Sequence, residues 1–390
     1  MAGPDQVIRP DIIFLGSQAG YKNNGNFNTF LGTFAGYGNI AGSCNLIAGY
    51  NAGYNNKGDN NLLAGVLAGY NNTSGTGNLM VGYVAGYSNT AGSGNLMIGT
   101  SAGYSNTTGQ NNVFVGYGAG FSDTTGQNNV MMGNMAGYGN KGGTGNLIIG
   151  ASAGSSATGN YNVMMGLGAG ANSTGDQNLM IGTMSGYNNS AGVDNVLIGD
   201  QVGMTNVSGS SNTLVGAHCD VAVNNLSNAT AIGYSATVNA SNKVRIGNSS
   251  VTIIEGQVNV SVASDRRLKE NIEYTDKLGL QFVNDLKTVT FTYKNDPARS
   301  HHDGLIAQDV KQVLDDLGLK FSGLIQSENA DRTYNLAYAE FVVPLINSVK
   351  ELSFQNQEQQ KQIESQQREL DELKALVSTL VNNQAGQGNK

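Results

Sequence analysis

The sequence has no tryptophan, two cysteines and four prolines in 390 residues, and only 13% of its residues are charged. Cys44 and Cys219 cannot build a disulfide framework and have no metal-ligand spacing. No apolar run approaches the roughly 18 residues that cross a bilayer, so no membrane insertion is expected. The opening MAGPDQVIRPDIIF lacks a basic stretch followed by a long apolar one, so no secretory signal is expected. Lys and Arg (21) are outnumbered by Asp and Glu (28), and the net charge of -7 argues against a nucleic-acid partner or an anionic membrane surface. Scarce proline and the lack of a three-residue glycine period exclude collagen. A hydrophobic share of 39% is too high for a plain disordered tract.

Glycine is what the chain has in excess: 55 residues, about twice the usual share. Its distribution splits the chain. Residues 1–260 hold 49 glycines and 15 charged residues, whereas residues 261–390 hold 6 glycines and 34 charged residues. All four prolines (Pro4, Pro10, Pro297, Pro344) lie outside 11–296. A long glycine-rich stretch without proline is unlike a linker and points to a repeated backbone plan. The repeat starts with Asn at 28, 45, 61, 78, 95, 112, 129, 146, 162, 178, 195 and 212, in steps of 16 or 17. A typical unit, NLMIGTSAGYSNTTGQN from Asn95 to Asn111, has an apolar triplet, a glycine, a short Ala-Gly-Tyr piece and a polar loop.

Sixteen or seventeen residues cannot hold two packed helices, and Asn, Gly and Thr are poor helix interiors. The unit is expected to be two short strands with turns, one coil of a β-solenoid or β-roll. Twelve coils at ~4.8 Å each would make a rod of roughly 55 Å. Gly49, Gly65, Gly82, Gly99, Gly116, Gly133 and Gly150 are expected at one corner, where the chain needs positive φ or close approach between coils. Triplets such as Leu96-Met97-Ile98 and Val163-Met164-Met165 are apolar on both strand faces. A lone roll would alternate, so both faces are expected to be covered, the outer one most simply by another chain. The N-Φ-Φ-Φ-G…A-G strings, as in Asn95–Gly103 and Asn112–Gly120, resemble the left-handed β-roll of the YadA-type trimeric adhesin head over about 15–250. The unit here is longer than the head repeat, and the signal peptide and membrane anchor of those adhesins are not seen.

The second part opens with Ser264-Asp265-Arg266-Arg267-Leu268-Lys269-Glu270-Asn271-Ile272. It continues with His302-Asp303-Gly304-Leu305-Ile306-Ala307-Gln308-Asp309-Val310 and Tyr334-Asn335-Leu336-Ala337-Tyr338, and it ends in a helix. These three strings, in this order, resemble the peptidase S74 domain, the intramolecular chaperone at the C-terminus of phage tail spikes and fibres. The resemblance covers about 264–380 and implies a trimerising chaperone that cuts itself off at the Ser264–Asp265 junction. It implies Ser264 as nucleophile, Lys269 as its base and His302 as a supporting residue. A serine hydroxyl needs a neighbouring base, and a lysine serves only when burial or nearby cations lower its pKa. Arg266 and Arg267 are the candidate cations. Leu345, Val349, Leu352, Asn356, Gln359, Ile363, Gln366, Leu370, Leu373, Val377 and Leu380 step alternately by 4 and 3, an a/d heptad seam. Heptads alone do not choose dimer or trimer; the resemblance implies a trimer.

Other features read as structural. An aromatic follows Ala-Gly at Tyr21, Tyr37, Tyr54, Tyr70, Tyr87, Tyr104, Phe121 and Tyr138, and is expected to form a stacked ladder rather than a sugar platform. Asp59, Asp123, Asp176, Asp194, Asp200 and Asp220 are too scattered for the placed pair of a glycosidase. His218 beside Cys219 is too sparse for a metal site, and Gly166-Leu167-Gly168 has no helix after it to make a dinucleotide loop. No metal and no cofactor are expected.

The expected fold is mainly β. A trimeric β-roll of 16–17-residue coils precedes a small α+β domain ending in a long coiled-coil helix. The expected segments are 1–14 (attachment), 15–260 (repeat shaft), 261–340 (chaperone), 341–382 (coiled coil) and 383–390 (disordered tail). The expected function is a virion fibre or spike of a tailed phage, assembled in the host cytoplasm. Its expected partners are two more copies, other tail or head proteins, and a host surface glycan or outer-membrane protein. No turnover enzyme is expected beyond a single self-cleavage. A bacterial trimeric adhesin and a polysaccharide-degrading spike are the rival classes.

Overall fold

The computed structural model describes residues 11–387, except 259, 295, 297, 298 and 328–331. Most of the expected attachment segment, and the last residues of the expected tail, lie outside the described residues. The chain divides into two compact units at Val251 and Thr252.

The first unit is the expected β-solenoid. Strands of three residues, from Ile13–Leu15 to Val244–Ile246, form one parallel sheet of fifteen strands. Each strand pairs with its neighbours one coil away and in register, so that Met97 lies between Met80 and Phe114. The register follows from composition. From Thr29–Leu31 to Thr230–Ile232 the middle residue of each triplet points inward and is fully buried, as at Phe30, Ile47, Leu63, Met80, Met97, Phe114, Ile148 and Leu197, whereas Phe14 in the first strand is half-buried and Arg245 in the last is exposed. A one-residue slip would turn this whole column outward. Opposite it lies a column of small residues, Ala35, Ala52, Ala85, Ala102 and their equivalents, which lets the two walls of a coil approach. Where a polar residue takes the small position, it finds the strand carbonyl: Ser185 Oγ donates to Leu197 O at 2.8 Å.

The corner glycines need both properties expected of them. Gly99 has φ +130°, and a Cβ there would lie 2.4 Å from Gly116 O in the next coil. L side chains rarely adopt such a backbone, and nothing there can move aside.

One detail differs from the sequence reading. Along most of the sheet each coil has one strand, not two. The Ala-Gly-Tyr piece is a run of tight turns, because the residue before Ala and the Gly after it are both left-handed. Leu67 (φ 60°) with Gly69 (φ +57°), and Val84 (φ 51°) with Gly86 (φ +58°), are examples. Where that glycine is replaced, by Asp220 and Thr237, the piece extends into the paired strands Asp220–Val221 and Thr237–Val238.

Two interior asparagine columns tie the coils together. In the first, each backbone N–H reaches the previous coil: Asn95 N–H donates to Asn78 Oδ1 (3.0 Å) and Asn112 N–H to Asn95 Oδ1 (2.9 Å). The side-chain amide of Asn95 donates to Gly109 O at 2.8 Å. In the second column Asn89 Nδ2 donates to Asn72 Oδ1 (2.8 Å) and Gly92 O (2.9 Å). Most of these buried amides find partners that the stacking itself supplies, whereas both side-chain polar atoms of Asn106 and the Nδ2 of Asn140 find none among the described residues.

Among its described residues the second unit has three α-helices, α1 (Leu280–Asp285), α2 (Ala307–Leu317) and α3 (Val342–Gln387). Two antiparallel strand pairs accompany them, Thr288–Phe291 with His302–Leu305 and Leu324–Gln326 with Tyr334–Leu336. Helix α2 ends at Gly318 in the left-handed conformation that closes a helix. Phe282, Val310, Leu314 and Phe341 form a small core, and Leu305, Phe321, Leu324 and Leu336 pack on it.

Candidate self-processing site

Ser264 and Lys269 are brought together by a short turn. Asp265 caps the 3-10 turn Arg266–Leu268, its carboxylate accepting the Arg267 N–H at 2.8 Å. The turn closes through Leu268 N–H to Asp265 O (3.0 Å) and Lys269 N–H to Arg266 O (3.1 Å). Lys269 then returns to extended backbone. Its Nζ donates to Ser264 Oγ at 2.7 Å.

The two arginines are not equivalent. The Arg267 guanidinium grips Asp265, with Nη2 to Oδ2 at 2.6 Å and Nε to Oδ1 at 3.1 Å. This pairing holds the Asp265 carboxyl below the usual carboxylate range. Arg267 is therefore neutralised locally, and Arg266 is the remaining expected cation in the turn. The Ser264–Lys269 pair is exposed in the single chain.

His302 is not part of this cluster. Its ring packs against Phe291 (5.7 Å) and Tyr293 (5.1 Å). Among the described residues no hydrogen bond or ion pair joins it to Ser264 or Lys269. The second and third strings do meet. Tyr338 Oη accepts the Leu305 N–H at 2.8 Å, and a Cβ on Gly304 would sit 2.4 Å from that oxygen. The Gly in one string and the Tyr in the other are thus two halves of one contact. Sequence reasoning treated both as markers and missed the pairing, which no spacing rule encodes.

The remaining candidates are structural in their contacts. The aromatic ladder is continuous, with rings from Tyr21 to Tyr138 stacked at 4.8–5.3 Å and nearly parallel. Sugars pack on ring faces, and here each interior face is covered by the next ring. Some of the solenoid carboxylates serve as acceptors for neighbouring coils: Asp59 takes the Ser43 N–H and Asp176 the Asn160 N–H, each at 2.7 Å. His218 Nε2 lies 3.9 Å from Asp200 Oδ2 at the surface. Among the described residues no three His, Cys, Asp or Glu side chains group to hold a metal ion. No described helix is long and apolar enough to cross a membrane.

No curated protein matches the chain. Residues 264–319 match the Peptidase_S74 family, described as chaperone of endosialidase. The matched segment begins at Ser264 itself and includes the turn, Lys269, the strand His302–Leu305 and helix α2. The chain is a β-solenoid followed by a peptidase S74 domain.

Proposed function

We propose that the chain is a subunit of a trimeric tail fibre or spike of a tailed phage, whose S74 domain assembles three copies and then cuts itself off at the Ser264–Asp265 junction. The observation that carries this reading is the 2.7 Å Lys269–Ser264 hydrogen bond at the start of the S74 match. In the assembled state Lys269 acts as the base and takes the hydroxyl proton as Oγ adds to a backbone carbonyl. The proton then passes to the departing amine as the C–N bond breaks, and water hydrolyses the ester that remains. Addition to the Ala263 carbonyl closes a five-membered ring and cuts before Ser264, whereas the family resemblance places the cut after it. The two products differ in mass by one serine residue.

Two surfaces support the trimer. The seam of α3 is open in the single chain, with Leu345, Val349, Leu352, Ile363, Leu370, Leu373, Val377 and Leu380 all exposed. On the solenoid most first and third strand residues are apolar yet only partly covered, as at Leu31, Leu46, Ile98 and Met132. Exposed apolar stripes of this length mark association surfaces. The mature solenoid would present its polar loops to a host glycan or outer-membrane protein and join other virion proteins. Intact mass of the wild type beside Ser264→Ala and Lys269→Ala tests the reading. Fragments meeting at residue 264 in wild type alone support it, and a full-length wild type overturns the cleavage.

A further inference from the structure

The stretch just before Ser264 carries an apolar face with no partner. From residue 254 the even positions read Ile254, Gly256, Val258, Val260 and Val262, while Glu255, Gln257, Asn259 and Ser261 are polar. This alternation is the signature of a strand with one buried face. Yet Ile254, Val258, Val260 and Val262 are 69, 84, 95 and 85% exposed. Among the described residues none between 252 and 263 belongs to a sheet or makes a backbone hydrogen bond. Bare β-branched side chains and unpaired amides together call for a partner strand.

The flanking sequence says what that partner is. Along the chain the segment follows the solenoid strands and precedes α3, the two elements whose exposed apolar surfaces point to self-association. A heptad seam is completed by copies of the helix in register. Copies aligned on both flanking surfaces bring the intervening segments side by side. The only charge in the segment, Glu255, is on the polar face, so facing copies meet without like charges.

We propose that the face formed by Ile254, Val258, Val260 and Val262 is closed by the same face of two further copies of this chain. The result is an interchain β-layer immediately before the cleavage point. This rests on the trimeric reading above and adds what holds the copies once the S74 domain leaves. The layer stays with the solenoid, whereas α3 departs with the released domain.

The test uses the full chain with the exposed Cys44 removed (Cys44→Ser) and a cysteine placed on either face, Val260→Cys or Ser261→Cys. Both samples are oxidised mildly and sized by light scattering. Disulfides need Cβ atoms about 3.5–4.5 Å apart, so interchain linkage at 260 is expected to exceed that at 261 by at least about fivefold. Equal linkage in a trimeric sample overturns this inference and leaves the trimer standing. A monomer by light scattering overturns both. Hydrogen exchange on the unsubstituted chain gives a second reading that no substitution can disturb. The amides of Val258, Val260, Ser261 and Val262 are expected to be slowed by at least about a hundredfold. Exchange at the rate of an unstructured chain overturns the inference.

Discussion

Asp123→Asn is expected to stabilise the solenoid at neutral pH and to do nothing at pH 4. Asp123 stands in the second interior column, where the equivalent places hold Asn72, Asn89, Asn106, Asn140 and Asn189. It is fully buried, and burial pushes its pKa up to about 6. Bonds from Gly126 N–H (2.7 Å) and Asn129 Nδ2 (3.2 Å) pull the other way without overcoming the desolvation. The folded state therefore binds the proton more tightly than the unfolded chain does. The stability this group contributes is full below its ordinary pKa of 3.8 and is lost as pH rises through about 6. A shift of about two pKa units at ~1.4 kcal/mol each puts the loss near 3 kcal/mol per chain. Asn removes the charge and can repeat the bond that Asn89 Nδ2 makes to Gly92 O. Denaturant unfolding of both proteins at pH 4 and pH 7.5 measures the difference. A gain for Asp123→Asn of about 1–3 kcal/mol at pH 7.5, shrinking towards zero at pH 4, is the expected result. An equal difference at both pH values, or a less stable variant at pH 7.5, would refute the reasoning.

Two other substitutions test the solenoid. Gly99→Ala combines a φ of +130° with a Cβ 2.4 Å from Gly116 O, and is expected to cost about 3 kcal/mol or more in thermal or denaturant unfolding. A neutral result there would mean that the corner is not tightly packed. Tyr104→Ala breaks stacks of 5.2 and 5.0 Å with Tyr87 and Phe121. It is expected to cost about 1–3 kcal/mol in the same measurement. If it leaves stability untouched and removes adsorption to host cells instead, the ladder is a binding surface.

The features that repeat were legible in the sequence. The coil length, the apolar triplet, the corner glycines and the aromatic stack each recur at 16–17 residues. A periodic position shows its physics many times over. The second strand was misread because left-handed backbone at Leu67 or Val84 leaves no mark in residue type. Asn39, Asn56, Asn72, Asn89 and Asn106 each follow a repeat-starting Asn by eleven residues. That signal was present, but in a chain rich in asparagine it looked like loop composition. In the S74 domain the strings identified the family, and physical reasoning alone did not place their contacts. Arg266 and Arg267 read alike in sequence, and only the Asp265 carboxylate distinguishes them. The Gly304–Tyr338 contact joins residues 34 apart through tertiary packing, which no local pattern records.

The central claim is that Ser264 and Lys269 cut the chain once it has assembled. Its most direct test is the intact mass of freshly purified wild type, Ser264→Ala and Lys269→Ala, with light scattering on the same samples. The account predicts two fragments meeting at residue 264 in the wild type, and uncut, trimeric chains in both variants. A wild-type chain that is trimeric and remains full length would contradict it, and so would a Lys269→Ala chain that still cuts.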